Sequence, residues 1–182
     1  MKSKSNLTDK QLEKALVFKI PKRVNRYHEM IRECRKAKHE RLDTYGRVIW
    51  NTAIKVTPGT FNRACLFLEG LIRLFGSYGW KFTNNKSHQG KRRGGAFTFN
   101  GEVLYIEIKE PVKQVPYENK GKAEDSYWQP KYEYLPAGRL EFRIENIYAA
   151  GFKTRWSDTK SIKLEEQLNS IVQSFSRGFE YC

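Results

Sequence analysis

Asparagine followed by glycine at positions 100 and 101 is the tightest local constraint in the chain. The pair tolerates the positive φ angles of a two-residue type I′ turn, so residues 96–109 read as a β-hairpin. With two residues in the loop, Phe99 must oppose Glu102, Thr98 Val103, Phe97 Leu104, and Ala96 Tyr105. Alternation then sends Phe97, Leu104, Ile106 and Ile108 to one side, the expected core. Tyr105, Glu107 and Lys109 go to the other, so an antiparallel sheet with one wet face is expected.

Around this hairpin the helix signals are spaced for packing. Thr57-Pro58 offers an N-cap followed by proline at the first helical position, where a missing N–H costs nothing. Phe61, Ala64, Cys65, Leu68, Leu71, Ile72 and Phe75 then recur at the spacing of one buried stripe, with Gly79 as the expected left-handed end. A last helix capped by Ser161 would carry Leu164, Leu168, Ile171, Val172, Phe175 and Phe179 on one face. Before the core helix, residues 47–56 alternate as a single strand, with Val48, Trp50, Thr52, Ile54 and Val56 on one side. Residues 80–83, 138–146 and 152–156 supply the remaining strands. In the 138–146 strand Leu140, Phe142 and Ile144 point inward, and Arg139, Glu141, Arg143 and Glu145 form a self-neutralising outer row. The expected fold is α+β, with an antiparallel sheet of about five strands and two amphipathic helices on one face.

Residues 1–44 read as a basic helical arm on a domain spanning 45–182. Thr8 to Gln11 has the form of a capping box for a short helix ending near Phe18, and Pro21 breaks the pattern. A second helix over 25–40 carries Tyr27, Met30, Ile31 and Cys34 at helical spacing. Its other face holds Arg32, Arg35, Lys36, Lys38 and Arg41, which could follow a phosphate backbone or pair with Glu29, Glu33 and Glu40.

The formal charge is +14, and its distribution says more than its size. Residues 1–95 hold 22 Lys and Arg against 7 Asp and Glu, whereas residues 96–182 hold 12 against 13. Such asymmetry points to a polyanion, because clustered cations gain free energy by releasing phosphate counterions, although a plain solubilising surface has the same composition. Residues 84–95 contain Lys86, His88, Lys91, Arg92 and Arg93 with no acidic or large apolar residue, and are expected to form a flexible basic loop. A longer loop over 111–137 mixes charges with Tyr117, Tyr127, Trp128, Tyr132 and Tyr134. Those rings either stack on unpaired bases or fold the loop back over an apolar sheet edge.

Three cysteines, Cys34, Cys65 and Cys182, are too few and scattered for a disulfide framework and suit a reducing cytoplasm. No run approaches the length of a membrane span, and Met1-Lys2-Ser3-Lys4 leads into polar sequence rather than a signal-peptide core. Neither cofactor nor metal is expected. His28, Cys34 and His39 lack zinc-ligand spacing, the residues at 90–95 lack the Walker pattern, and no catalytic triad is recognisable. Glu107-Ile108-Lys109 has the acid-x-Lys form of metal-dependent nucleases, but such a site needs a second carboxylate. Glu102 points to the other side, Glu69 lies in the core helix, and Glu141 lies on a later strand.

Several landmarks in order, Tyr45-Gly46-Arg47, Val56-Thr57-Pro58, Arg63-Ala64, Gly79, Glu110, Gly138-Arg139-Leu140, Trp156-x-Asp158 and Leu164-Glu165-x-x-Leu168, span about residues 45–170. In this the chain resembles the C-terminal portion of a group of poorly characterised bacterial proteins, often plasmid- or prophage-borne, that carry an N-terminal helix-turn-helix. That motif is not visible here. The resemblance implies a bacterial or phage context and a DNA-associated role. The expectation is a nucleic-acid-binding accessory or regulatory protein, taking DNA ahead of RNA through backbone phosphates. The expected contacts are Arg35, Lys36, Lys38, Arg41, Lys86, Lys91, Arg92 and Arg93, with Trp128 stacking. The alternatives are a divalent-metal nuclease using Glu107 and Lys109, and an interaction or inhibitory module for a protein with an acidic surface.

Overall fold

The computed structural model describes residues 17–36, 42–50, 53–86, 92–117, 131–147 and 151–178. In chain order its elements are α1 (Glu29–Lys36), β1 (Val48–Trp50), β2 (Ile54–Val56), α2 (Pro58–Gly76), β3 (Lys81–Lys86), β4 (Arg92–Phe99), β5 (Glu102–Lys109), β6 (Val112–Pro116), β7 (Tyr132–Pro136), β8 (Glu141–Ile144), β9 (Arg155–Ser157), a 3-10 turn (Leu164–Gln167) and α3 (Leu168–Gly178). This is an α+β fold. None of the described helices is long and apolar enough to cross a membrane.

The β4–β5 hairpin has the register that its turn dictates, from Phe99 opposite Glu102 to Ala96 opposite Tyr105. Asn100 and Gly101 take φ of 49° and 89°. Among the described residues seven strands, rather than about five, make the main sheet, and β5 is its axis. β8 lies antiparallel along one edge, Ile106 opposite Ile144, and β9 extends the sheet beyond it. β4 and β2 share the other edge end to end, because Leu104 and Ile108, four residues apart, turn their backbone groups to the same side. β2 runs parallel to β5, Ile54 beside Ile108, so one pairing departs from the expected antiparallel sheet.

Residues 47–56 are not one strand. They fold back as β1 and β2, Val48 opposite Val56 and Trp50 opposite Ile54. Partners in this register share a face, so the alternating pattern is identical whether the strand continues or turns back. Val48, Ile54 and Val56 are buried in either case. The basic loop expected over 84–95 is largely strand as well, since β3 and β4 remain paired out to Lys86 and Arg92. Similarly, the 111–137 excursion contains a separate antiparallel ribbon, β6–β7. Its polar and aromatic residues alternate too irregularly to announce it.

Both long helices cover the apolar face of the sheet. Phe175 of α3 stacks on Phe75 of α2 at 4.4 Å between ring centres and reaches Phe97 at 5.6 Å and Phe142 at 6.1 Å. After α2 the Trp80 N–H reaches back to the Phe75 carbonyl and the Gly79 N–H to that of Gly76. Gly79 has φ of 86°, and Trp80 stacks on Phe75 at 4.8 Å, completing a Schellman ending with its apolar contact. The final helix enters through the 3-10 turn with Lys163, not Ser161, at the cap position. The arm helix begins at Glu29 rather than near Asn25, residues 37–40 of the expected span lie outside the described residues, and the helix is docked: Ile31 and Cys34 are buried in the core. Glu69 and Arg73 of α2 hold its approach, accepting from the His28 N–H and donating to the Arg26 carbonyl.

Gly95 lies where β4 meets the end of β2. A Cβ there would fall 2.5 Å from the Phe82 ring and 2.9 Å from the Ala53 Cβ, and both neighbours are buried. Gly95→Ala is therefore expected to lower the unfolding free energy by about 1–3 kcal/mol, read as a lower urea midpoint with unchanged slope.

Candidate functional site

The face of the sheet turned away from the helices is charged, as the alternation of β5 requires, but it is not a simple wet face. Glu107 and Glu141 are 5% and 1% exposed. A buried carboxylate is tolerable only when paired. Lys55 Nζ, from the neighbouring parallel strand, reaches Glu107 Oε1 at 2.8 Å, and Lys109 Nζ reaches Oε2 at 3.1 Å. Arg143 donates to Glu141 from within β8, and Arg155 Nη2 of β9 lies 2.5 Å from its second oxygen. Lys109 joins the two groups, 3.7 Å from Glu141 Oε1. Burial alone would raise the Glu107 pKa, yet the hydrogen bond from Lys55 and the charges of both lysines hold it below the ordinary value.

Glu141 is the second carboxylate that the Glu107-Ile108-Lys109 motif lacked in the sequence, brought alongside because Lys109 and Glu141 are register partners. Four cations occupy the two carboxylates, and among the described residues there is no group of three or more His, Cys, Asp or Glu that could hold a metal. What the six side chains make is an ion network that leaves Arg155 largely exposed.

Two further polar clusters absorb many of the short motifs. Glu110, just past the end of β5, accepts at Oε2 from the Thr57 N–H at 2.9 Å, the Thr57 hydroxyl at 2.6 Å and the Thr60 hydroxyl at 2.7 Å. Its Oε1 accepts from the Gly138 N–H at 2.7 Å. Thr57 thus spends its hydroxyl on Glu110 rather than on its own helix. Arg47, held by Asp43, donates to the Glu110 carbonyl at 3.0 Å. In the second cluster, Arg63 clasps Asp158 through both Nη atoms, at 2.5 and 2.7 Å, and Glu165 through Nε and Nη2, at 2.7 and 2.5 Å. Asp158 also accepts from the Leu140 and Leu164 N–H groups. Every carboxylate oxygen in these clusters already has a donor, so their role is to join segments.

The expected nucleic-acid contacts divide by position. Arg35 and Lys36 are exposed at the end of α1. Arg35 is partly engaged, donating to Asn62 Oδ1 at 2.8 Å and lying 4.8 Å from the Tyr27 ring centre. Lys86 and Arg92 are register partners, with a bulge that places Arg93 between paired positions. Lys38, Arg41, Lys91 and Trp128 lie outside the described residues. Cys34 and Cys65 are buried together, and contact with Cys65 together with burial pushes the Cys34 thiol far up. The sequence does not single out Lys55 or Arg155, whose grouping depends on strand order, and it marks Arg143 only as one of an outer row and Tyr45 only as part of a short motif. Tyr132 and Tyr134 were weighed only as part of a loop. On the β6–β7 ribbon they are 51% and 50% exposed, so they do not fold back over the core.

No protein-family model matches the chain, and neither the curated proteins nor the solved structures contain a match.

The Glu110 cluster makes stability sensitive to acid. Burial would raise this carboxyl, but donation from Thr57, Thr60 and Gly138 outweighs it and holds the pKa below the ordinary 4.5. The unfolded chain therefore takes up the proton first, and the contribution, complete above about pH 4.5, is lost as pH falls through the lower folded value. In Glu110→Gln the urea midpoint is expected to be lower at neutral pH and to fall less steeply on acidification than in the wild type.

Proposed function

We propose that the protein binds nucleic acid through backbone phosphates, DNA ahead of RNA, as a cytoplasmic accessory or regulatory protein of a bacterium or mobile element. The observation that carries the reading is the register of the β3–β4 hairpin. It sets Lys86 opposite Arg92 beside a bulged Arg93, in a stretch, residues 81–95, that holds five Lys and Arg and no Asp or Glu. Like charges at opposed positions of a ribbon disfavour its folding unless an anion lies against them, and a phosphate backbone supplies anions at a regular interval. Arg32 and Lys36, exposed on α1, extend the cationic surface. The bacterial or mobile-element context is drawn from the order of the short motifs over residues 45–170.

The test is a titration of nuclease-treated protein with labelled DNA and RNA at several salt concentrations, with and without magnesium. Binding to intact probe should weaken steeply with salt. Replacing Lys91, Arg92 and Arg93 together with alanine should weaken it further and flatten the log–log salt slope by about three. An unchanged slope would remove this ribbon from the interface. No binding at low salt would sink the proposal, and magnesium-dependent cleavage would replace it with a nuclease.

A further inference from the structure

We propose that the tyrosine-bearing face of the β6–β7 ribbon is a stacking site for unpaired bases, so that the preferred ligand is a single strand. The inference rests on the nucleic-acid reading above and narrows it to a ligand class. In the ribbon Tyr132 pairs with Pro116, Tyr134 with Gln114, and Pro136 with Val112. These six positions share one face, while Lys113, Val115, Glu133 and Leu135 take the other. The shared face carries no carboxylate. Its two tyrosines are half exposed, and Tyr45, 37% exposed, meets Tyr134 edge-on with ring centres 6.3 Å apart.

An isolated two-stranded ribbon is marginal in water and gains most from burying its large side chains. This one leaves its largest outside. Two residues of extended strand advance about 6.8 Å, twice the roughly 3.4 Å step between stacked bases, so Tyr132 and Tyr134 are spaced for alternate steps of a strand lying along β7. Cations bracket that path. Lys131 precedes β7 and Arg139 follows it, both exposed. Rings flanked by positive charge, with no acid on their face, match a ligand that alternates exposed π-faces with phosphates. A duplex hides its base faces within its own stack, which leaves only unpaired bases to meet the rings.

The experiment compares three labelled probes by fluorescence anisotropy with the full chain: an oligothymidine of about 20 nucleotides, an abasic strand with the same number of phosphates, and a duplex of equal length. Wild-type protein should bind oligothymidine at least about tenfold more tightly than the abasic strand. Tyr132→Ala/Tyr134→Ala should remove that preference without changing affinity for the abasic strand or the duplex, and Tyr132→Phe/Tyr134→Phe should keep it. Equal wild-type affinity for oligothymidine and the abasic strand overturns the stacking site without recourse to any variant, and leaves phosphate binding standing. Loss of affinity by the alanine pair on all three probes alike also overturns it. A wild-type protein that binds none of the probes overturns the stacking site, and if the RNA of the salt titration is not bound either, the phosphate reading falls with it. If sedimentation shows a dimer that the alanine pair abolishes while nucleic-acid affinity is unchanged, the face belongs to a second copy of the chain, and the proposal fails.

Discussion

The Asp158 carboxylate ties the core helix, the start of β8 and the entry to the final helix to one point. It lies just past β9 and is 2% exposed. One side of it is clasped by Arg63 from the first turns of α2, and its remaining lone pairs accept the backbone N–H groups of Leu140 and Leu164. Core helix, central sheet and entry to the final helix therefore converge on one pair of oxygens. A buried ion pair is not in itself a gain in stability, but removal of one partner leaves an uncompensated charge and typically costs about 3–5 kcal/mol. The apolar packing of Phe75, Phe97, Phe142 and Phe175 supplies cohesion, and the Arg63–Asp158 pair fixes where the helices sit upon it.

Glu110 plays the corresponding part at the C-terminal end of β5. It joins the start of α2 to the return of the chain at Gly138 using neutral donors alone, whereas Asp158 is answered by a cation. Further along the same strands lies the ion network of Glu107 and Glu141, whose cations offset carboxylates already present. The uncompensated positive charge of the sequence lies in its first half, which includes α1 and the β3–β4 strands.

The hairpin at Asn100-Gly101, the stripe of α2 and the inward residues of β8 were legible because each is encoded within a few residues by turn chemistry or periodicity. The fold-back at 47–56 was not, since its register keeps Val48, Ile54 and Val56 on the face that an unbroken strand would give them. The parallel pairing of β2 with β5 depends on a connection through α2 and two further strands, which no local pattern reports. Much the same holds for the polar clusters. Glu141 read as one member of a self-neutralising row, but its meeting with Lys109 and Arg155 follows from strand order. Burial of Glu107 likewise depends on Lys55, which lies 52 residues earlier. Charged residues carry little local information about pairing, because their partners are chosen by topology rather than by period.

The distance in sequence between Arg63 and Asp158, 95 residues, bears on how the chain folds as it is made. Residues 96–109 can form their hairpin as soon as they emerge, since its contacts are local. β2 has to wait for the second arm of that hairpin to gain its parallel partner, and α2 exposes apolar surface until residues 168–175 arrive to cover it. Non-local closure of this kind is slow and leaves sticky intermediates open to association. During synthesis, α2 therefore waits for its apolar cover from its own emergence until residues 168–175 follow, and the ion pair of Arg63 with Asp158 closes only shortly before that cover arrives.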